Sequence, residues 1–301
     1  MNDPPRVLVM GDLCLDTVVE TWLPKTWSRV AASGELLARG PIADQVGGTA
    51  YQFARRAVQF GLSPTVVGSV GEDAAGEIIG DVLAAAPFEC RVQRSTTAPT
   101  ARTLVAYDAS GARHMFTSSV SANDALSSDF VRAGEFGPWD LIWISGLCLR
   151  SRSVPRFAAV IGAVAEARRS GALVVLDVVP HDFYRLFDAL TEVAEILGGL
   201  DGVVTEANTA RRMLGLGRQD EKQSVTMLSD TADALLKVTS LAIVRLRDGS
   251  KYHQLAASRS KLHASYSYPV PDGAALLGYG DLLAAEALRD YLEHRSAGGH
   301  E

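Results

Sequence analysis

The chain has 301 residues, 47% of them apolar, and a formal net charge of −6. That much apolar sequence can bury one large core; the acidic balance argues against nucleic acid or an anionic membrane as partner, no apolar run reaches the about 18 residues that cross a bilayer, and a small molecule is left as the expected ligand. The three cysteines, Cys14, Cys90 and Cys148, stand far apart among apolar neighbours, so the spacing predicts neither a disulfide framework nor a metal site and points to a reducing compartment, the cytoplasm.

Residues 7–10 are a short apolar run ending at Gly11, the pattern of a buried parallel strand that feeds a ligand-facing loop. Residues 17–45 alternate without a long helix. The glycine-rich segment Val46 to Ala54 runs directly into an amphipathic helix, residues 65–70 form a second buried strand, and residues 71–76 open another helix. Residues 101–118 read as a hairpin, with strands at 103–107 and 114–117 around a turn at Ser110-Gly111. Further strands are expected at 141–145, 173–177, 202–205 and 241–246, and a helix at 155–170 with Phe157, Val160, Ile161, Val164 and Ala165 on its buried face. Gly278-Tyr279-Gly280-Asp281 opens the last helix, and residues 296–301 form a loose tail. This alternation predicts a doubly wound, mostly parallel α/β sheet in a single domain spanning 1–301, with its ligand beyond the C-terminal strand ends.

Chemistry concentrates at two places. Gly278 and Gly280 allow a tight turn whose N–H groups, with the positive end of the following helix, make an anion cradle, and Asp281 stands beside it as a base. Alone, the string reads equally well as a turn capped by Asp281. Near the other end, Asp12 and Asp16 would share one face of an extended segment, where a carboxylate accepts from vicinal hydroxyls; the same spacing fits a loop cap at Asp12 and an exposed Asp16.

The early glycine pair and the late Gly-Tyr-Gly-Asp, in this order, resemble the signatures of the PfkB or ribokinase family of sugar and nucleoside kinases, and the resemblance extends over nearly the whole chain. It implies a ribokinase-like fold with a small β lid built from residues 17–45 and 98–118, which covers the substrate and makes a homodimer contact. It also implies transfer of the γ-phosphate of ATP to a hydroxyl of a sugar, sugar derivative or nucleoside, with Mg2+ bridging the phosphates. Asp281 would then be the base, and Gly278 and Gly280 the anion hole. Asp16, Asp12, Gly47 and Gly48 would clamp the substrate, with Gln52 in a slot where the family has asparagine. Arg102, near the lid, is a further substrate contact or a solvated surface arginine.

The phosphate side departs from the family pattern. Tyr279 replaces an alanine, and Ala275 an aspartate whose nearest upstream substitute is Asp272. Glu206 and Thr209 occupy the slots of an asparagine and a glutamate, and Val179 and His181 those of an asparagine and an arginine. Arg245-Leu246-Arg247, followed by Asp248-Gly249, stands where the family has Thr-Leu-Gly. Arg245 and Arg247 would hold the nucleotide phosphates, with Glu206, Gly249 and Tyr279 around them. The alternative is a catalytically weak or inactive relative that binds a sugar or nucleotide as a sensor or partner. A Rossmann dehydrogenase is disfavoured, because Gly11 begins no G-x-G-x-x-G run.

Overall fold

The computed structural model describes residues 3–20, 38–107, 113–132, 138–179, 187, 189–216, 225–248, 251–259, 262–269 and 278–296. His181, Gly249, Asp272, Ala275, the Ser110-Gly111 turn and residues 297–301 lie outside them.

Strand β1 (Arg6–Met10) is apolar from Val7 onward because both its faces are buried: Val7 and Val9 join one core, Leu8 and Met10 the other. It pairs in parallel with β4 (Ser63–Gly71) on one side and β8 (Leu141–Ser145) on the other. Parallel pairing continues from β8 through β9 (Leu173–Val178), β10 (Gly202–Glu206) and β11 (Leu241–Asp248), and from β4 to β5 (Glu89–Ser95). The order along the sheet turns back at β1, and this opens a crevice beyond the strand ends.

The far edge was not foreseen. β12 (Lys251–Ser258) and β13 (Leu262–Pro269) add an antiparallel hairpin, which gives the described residues a nine-stranded sheet. Its apolar period is weak, since Tyr266 and Tyr268 alternate with exposed Ser265 and Ser267. These tyrosines pack instead on helix α7 (Tyr279–Ser296), where Tyr266 donates to Asp290 at 2.7 Å and Tyr268 to Glu286 at 2.5 Å.

Helices cover both faces. On the Val7 and Val9 side lie α1 (Thr49–Ala57), α2 (Ala74–Ala84) and α7, and Phe53 stacks on Trp143 with ring centroids 4.4 Å apart. On the other side lie α3 (Pro155–Arg169), α4 (Leu190–Ile196), α5 (Ala207–Met213) and α6 (Val225–Leu235). The buried stripe of α3 is rotated from the expected one: it holds Arg156, Ala159, Val160, Ala163, Val164 and Ala167, leaving Phe157 and Ile161 half-buried and Ala165 exposed. An inward Arg156, engaged by carboxylates, sets that rotation.

A second sheet of four strands, in the order β3-β2-β6-β7, is built from β2 (Cys14–Glu20), β3 (Ala43–Gly47), β6 (Ala101–Tyr107) and β7 (Arg113–Thr117). Register places Asp16, Thr103 and Thr117 in one row and Thr17, Leu104 and Phe116 in the next, so the first row faces the crevice and the second faces out. The three cysteines are free, and among the described residues no helix is long and apolar enough to cross a membrane.

Candidate active site

One wall of the crevice forms where β1 hands over to β2. Gly11 to Leu13 are tied to α1 and to a distant amide: Asp12 N–H donates to Thr49 Oγ1 at 3.1 Å, Ala50 N–H donates to the Asp12 carbonyl at 3.2 Å, and the Asn123 side chain both accepts from Leu13 N–H (3.1 Å) and donates to its carbonyl (3.0 Å). Gly48 enters α1 at φ +92°, and a Cβ there would overlap the Asp12 carbonyl. Gly48→Ala is therefore expected to lower stability by ~1–3 kcal/mol or more, through left-handed strain and overlap together. An unchanged urea midpoint would show that this turn does not need glycine.

Asp16 is buried at the crevice end of the small sheet. Cys14 Sγ donates to its Oδ1 at 3.0 Å, and Thr103 and Thr117, 3.2 Å apart, stand in the same row. Burial pushes the Asp16 carboxyl up, while the Cys14 and Thr103 hydrogen bonds and the Arg113 charge draw it back. Gly47 lies against Asp16, so that a Cβ there would overlap the carboxylate.

The opposite wall is the N-terminus of α7. Gly278 turns at φ +71° with the Gln52 side chain filling the space where its Cβ would be, and Gly280 rests on Arg245, whose Nη1 is 2.6 Å from an ideal Cβ. Arg245 is buried, with Nη2 3.3 Å from Asp177 Oδ1 and Nε 3.5 Å from Glu206 Oε1. Burial pushes the Asp281 carboxyl up to about 7, and the Asp177 carboxylate pushes the same way against the Arg245 charge. Asp177 is likewise raised, to about 6, by burial offset by Arg245.

Both walls line one cavity of about 800 Å³. Of the residues singled out from sequence, Asp12, Asp16, Gly48, Gln52, Glu206, Arg245, Arg247, Gly278, Gly280 and Asp281 line it. The others do not. Gly47 lies behind Asp16, Arg102 points to solvent with Asp44 at 3.7 Å, and the Tyr279 ring packs on Tyr252 and Tyr268 at 5.5 and 6.4 Å while its hydroxyl donates to the Pro269 carbonyl. Asp12 reaches the cavity edge, but its carboxylate is engaged by Arg156, which also binds Asp124 at 3.0 Å and the Leu147 carbonyl at 2.8 Å.

Sequence reading missed Arg113, Thr103, Thr117, Asp177 and Arg150 as cavity residues and Arg156 as the support of Asp12. A signal existed for Arg156, which falls three and four residues before Ala159 and Val160, in phase with the apolar stripe of its helix. Thr103, Thr117 and Arg113 are brought there by pairing within the small sheet, Asp177 by the end of β9 and Arg150 by the turn after β8.

No protein-family model matches the chain, and no curated protein matches it in sequence. Solved structures do resemble it. The adenosine kinase from Sinorhizobium meliloti is 17% identical, with a TM-score of 0.72 over 97% of this chain and 88% of that one. The fructokinase from Xylella fastidiosa is 18% identical, with a TM-score of 0.64 over 96% and 86%. An E. coli protein assigned as a candidate ribokinase II, in complex with ATP and Mg2+, is 17% identical, with a TM-score of 0.65 over 98% and 87%. The fold is ribokinase-like, and its neighbours include sugar and nucleoside kinases.

Proposed function

We propose that this chain, on the ribokinase-like fold it shares with those kinases, is an ATP-dependent phosphotransferase acting on a hydroxyl of a sugar, sugar derivative or nucleoside. One observation carries the reading: Asp281, at the start of an 18-residue helix, and Asp16, on the small sheet, line the same cavity. Acceptor hydroxyls donate to Asp16. Asp281 takes the proton of the reacting hydroxyl as its oxygen attacks the γ-phosphorus, the bond to the ADP oxygen breaks, and the N–H groups between Gly278 and Asp281 face the charge that builds on the phosphoryl oxygens. A carboxyl raised toward neutrality suits a base that must also release its proton.

The residues present do not suit a protein-held Mg2+. Arg245 spans Asp177 and Glu206, and among the described residues no three His, Cys, Asp or Glu side chains are placed to hold a metal ion. The test of the activity is a panel of sugars and nucleosides incubated with ATP, with and without Mg2+, and assayed for phosphorylated product; no product across the panel counts against the kinase.

Asp16→Ala is expected to weaken acceptor binding about 10- to 100-fold, the worth of one or two charge-assisted hydrogen bonds, with ATP affinity unchanged. Equal loss of both ligands in calorimetry would mark a folding defect instead. A second reading, a degenerate relative that binds a sugar or nucleotide without turnover, is favoured by the same Arg245, which presses on Gly280 inside the cradle. Cytoplasmic location and a homodimer belong to the proposal as well. Leu104 sits on the outer face of the small sheet, 41% exposed, and a second copy packed on that face would cover it. Solution scattering at high concentration is expected to give the dimer mass; a monomer overturns this part.

A further inference from the structure

We infer that the Arg245 guanidinium, held between Asp177 and Glu206 and beside Asp281, is a built-in cation, so that the cleft holds a polyphosphate without a metal ion. The polyphosphate rests on the kinase reading; the position of the charge does not.

The geometry is particular to this chain. Arg245 lies within β11, level with Glu206 at the end of β10, and reaches Asp177 near the end of β9 at 3.3 Å and Glu206 at 3.5 Å. Its Nη1 then reaches the floor of the cradle, an approach that Gly280 permits only because it has no Cβ. Asp281 follows Gly280 directly and feels the same charge. One cation thus meets two carboxylates, with a third beside it, at the mouth of a helix N-terminus, the place where a ligand phosphate would rest.

The guanidinium has capacity to spare. Its Nε stands 3.5 Å from Glu206 without a hydrogen bond, and Nη1 faces the glycine backbone rather than a carboxylate. Arginine stays charged at any working pH and offers five N–H donors, so it can keep Asp177 and Glu206 while donating to a phosphate oxygen. A divalent ion entering between these acids would have to displace it. That would leave a buried cation without a partner, a costlier arrangement than the one present. Arg247, also on the cavity wall, adds a second cation toward the opening.

The probe is Mn2+, followed by water-proton relaxation, with the full chain free of nucleotide. The wild type is expected to take up no Mn2+ in the cleft at concentrations to about 1 mM, whereas Arg245→Gln, which uncovers the acids, should bind it and melt higher in its presence. Arg245→Lys, which keeps a charge, should behave as the wild type. In parallel, calorimetry should give ATP dissociation constants that agree within about threefold in EDTA and in Mg2+. Mn2+ binding to the wild type that Asp177→Asn abolishes overturns the inference, as does ATP binding that requires Mg2+. Should Arg245→Gln not fold, the two wild-type measurements decide alone. Absence of ATP binding in both buffers removes the kinase reading, and the Mn2+ measurements still decide the place of the charge.

Discussion

Asp281→Asn is expected to lower turnover ~10²- to 10⁴-fold with little change in acceptor or ATP affinity, because asparagine keeps the size and the hydrogen-bonding oxygen but cannot take the proton. The wild-type rate should rise with pH through about 7, where the carboxyl, pushed up by burial and by Asp177, becomes ionised and able to act as a base. Stability should move the other way. The folded chain keeps the Asp281 proton above its ordinary range, so it binds more protons than the unfolded chain between about pH 4 and 7. The stabilisation is full below that window and is lost as pH rises through it. Asp281→Asn removes this loss, and the variant should be the more stable protein above pH 7. Wild-type turnover in the variant would reduce Asp281 to a helix cap.

Arg156→Met is the substitution expected to cost most in stability, ~3–5 kcal/mol, because it removes one partner of a buried ion pair and leaves the others. The Arg156 side chain is 1% exposed and holds Asp12, Asp124 and the Leu147 carbonyl. Without it, Asp12 loses its described cation and Asp124 keeps Arg150 as its remaining one. Converting both acids to asparagine in the same variant should recover most of the loss, since no uncompensated charge is then buried. Urea unfolding of the single and triple variants measures both effects. A single-variant loss below about 1 kcal/mol would mean that solvent reaches the network freely.

Much of the fold was legible because buried parallel strands are unbroken apolar runs. The expected strands at 7–10, 65–70, 141–145, 173–177, 202–205 and 241–246 all lie within observed ones. The hairpin at 251–269 was not legible, for its tyrosines alternate with serines and are held by hydroxyl contacts to α7 rather than by an apolar face. In the candidate site, Asp281 and Asp16 could be singled out from sequence because glycines and a strand end flank them. Thr103, Thr117 and Arg113 carry no such local mark.

By itself, then, the sequence determined whatever depends on neighbours along the chain: apolar period, glycine-permitted turns at Gly48 and Gly278, and carboxylates set beside them. Tertiary structure alone decided which charges neutralise which. Asp12 and Arg156 are 144 residues apart, as Arg245 and Asp177 are 68 apart; the first pair meets where helix α3 packs against the end of β1, the second where the strands of the sheet lie side by side. A charge's role depends on the partner and the water around it. Thus Asp12, which reads from sequence as a substrate ligand or a loop cap, is paired with buried Arg156 at the cavity edge, and Arg245, which reads as a phosphate clamp, lies buried among carboxylates.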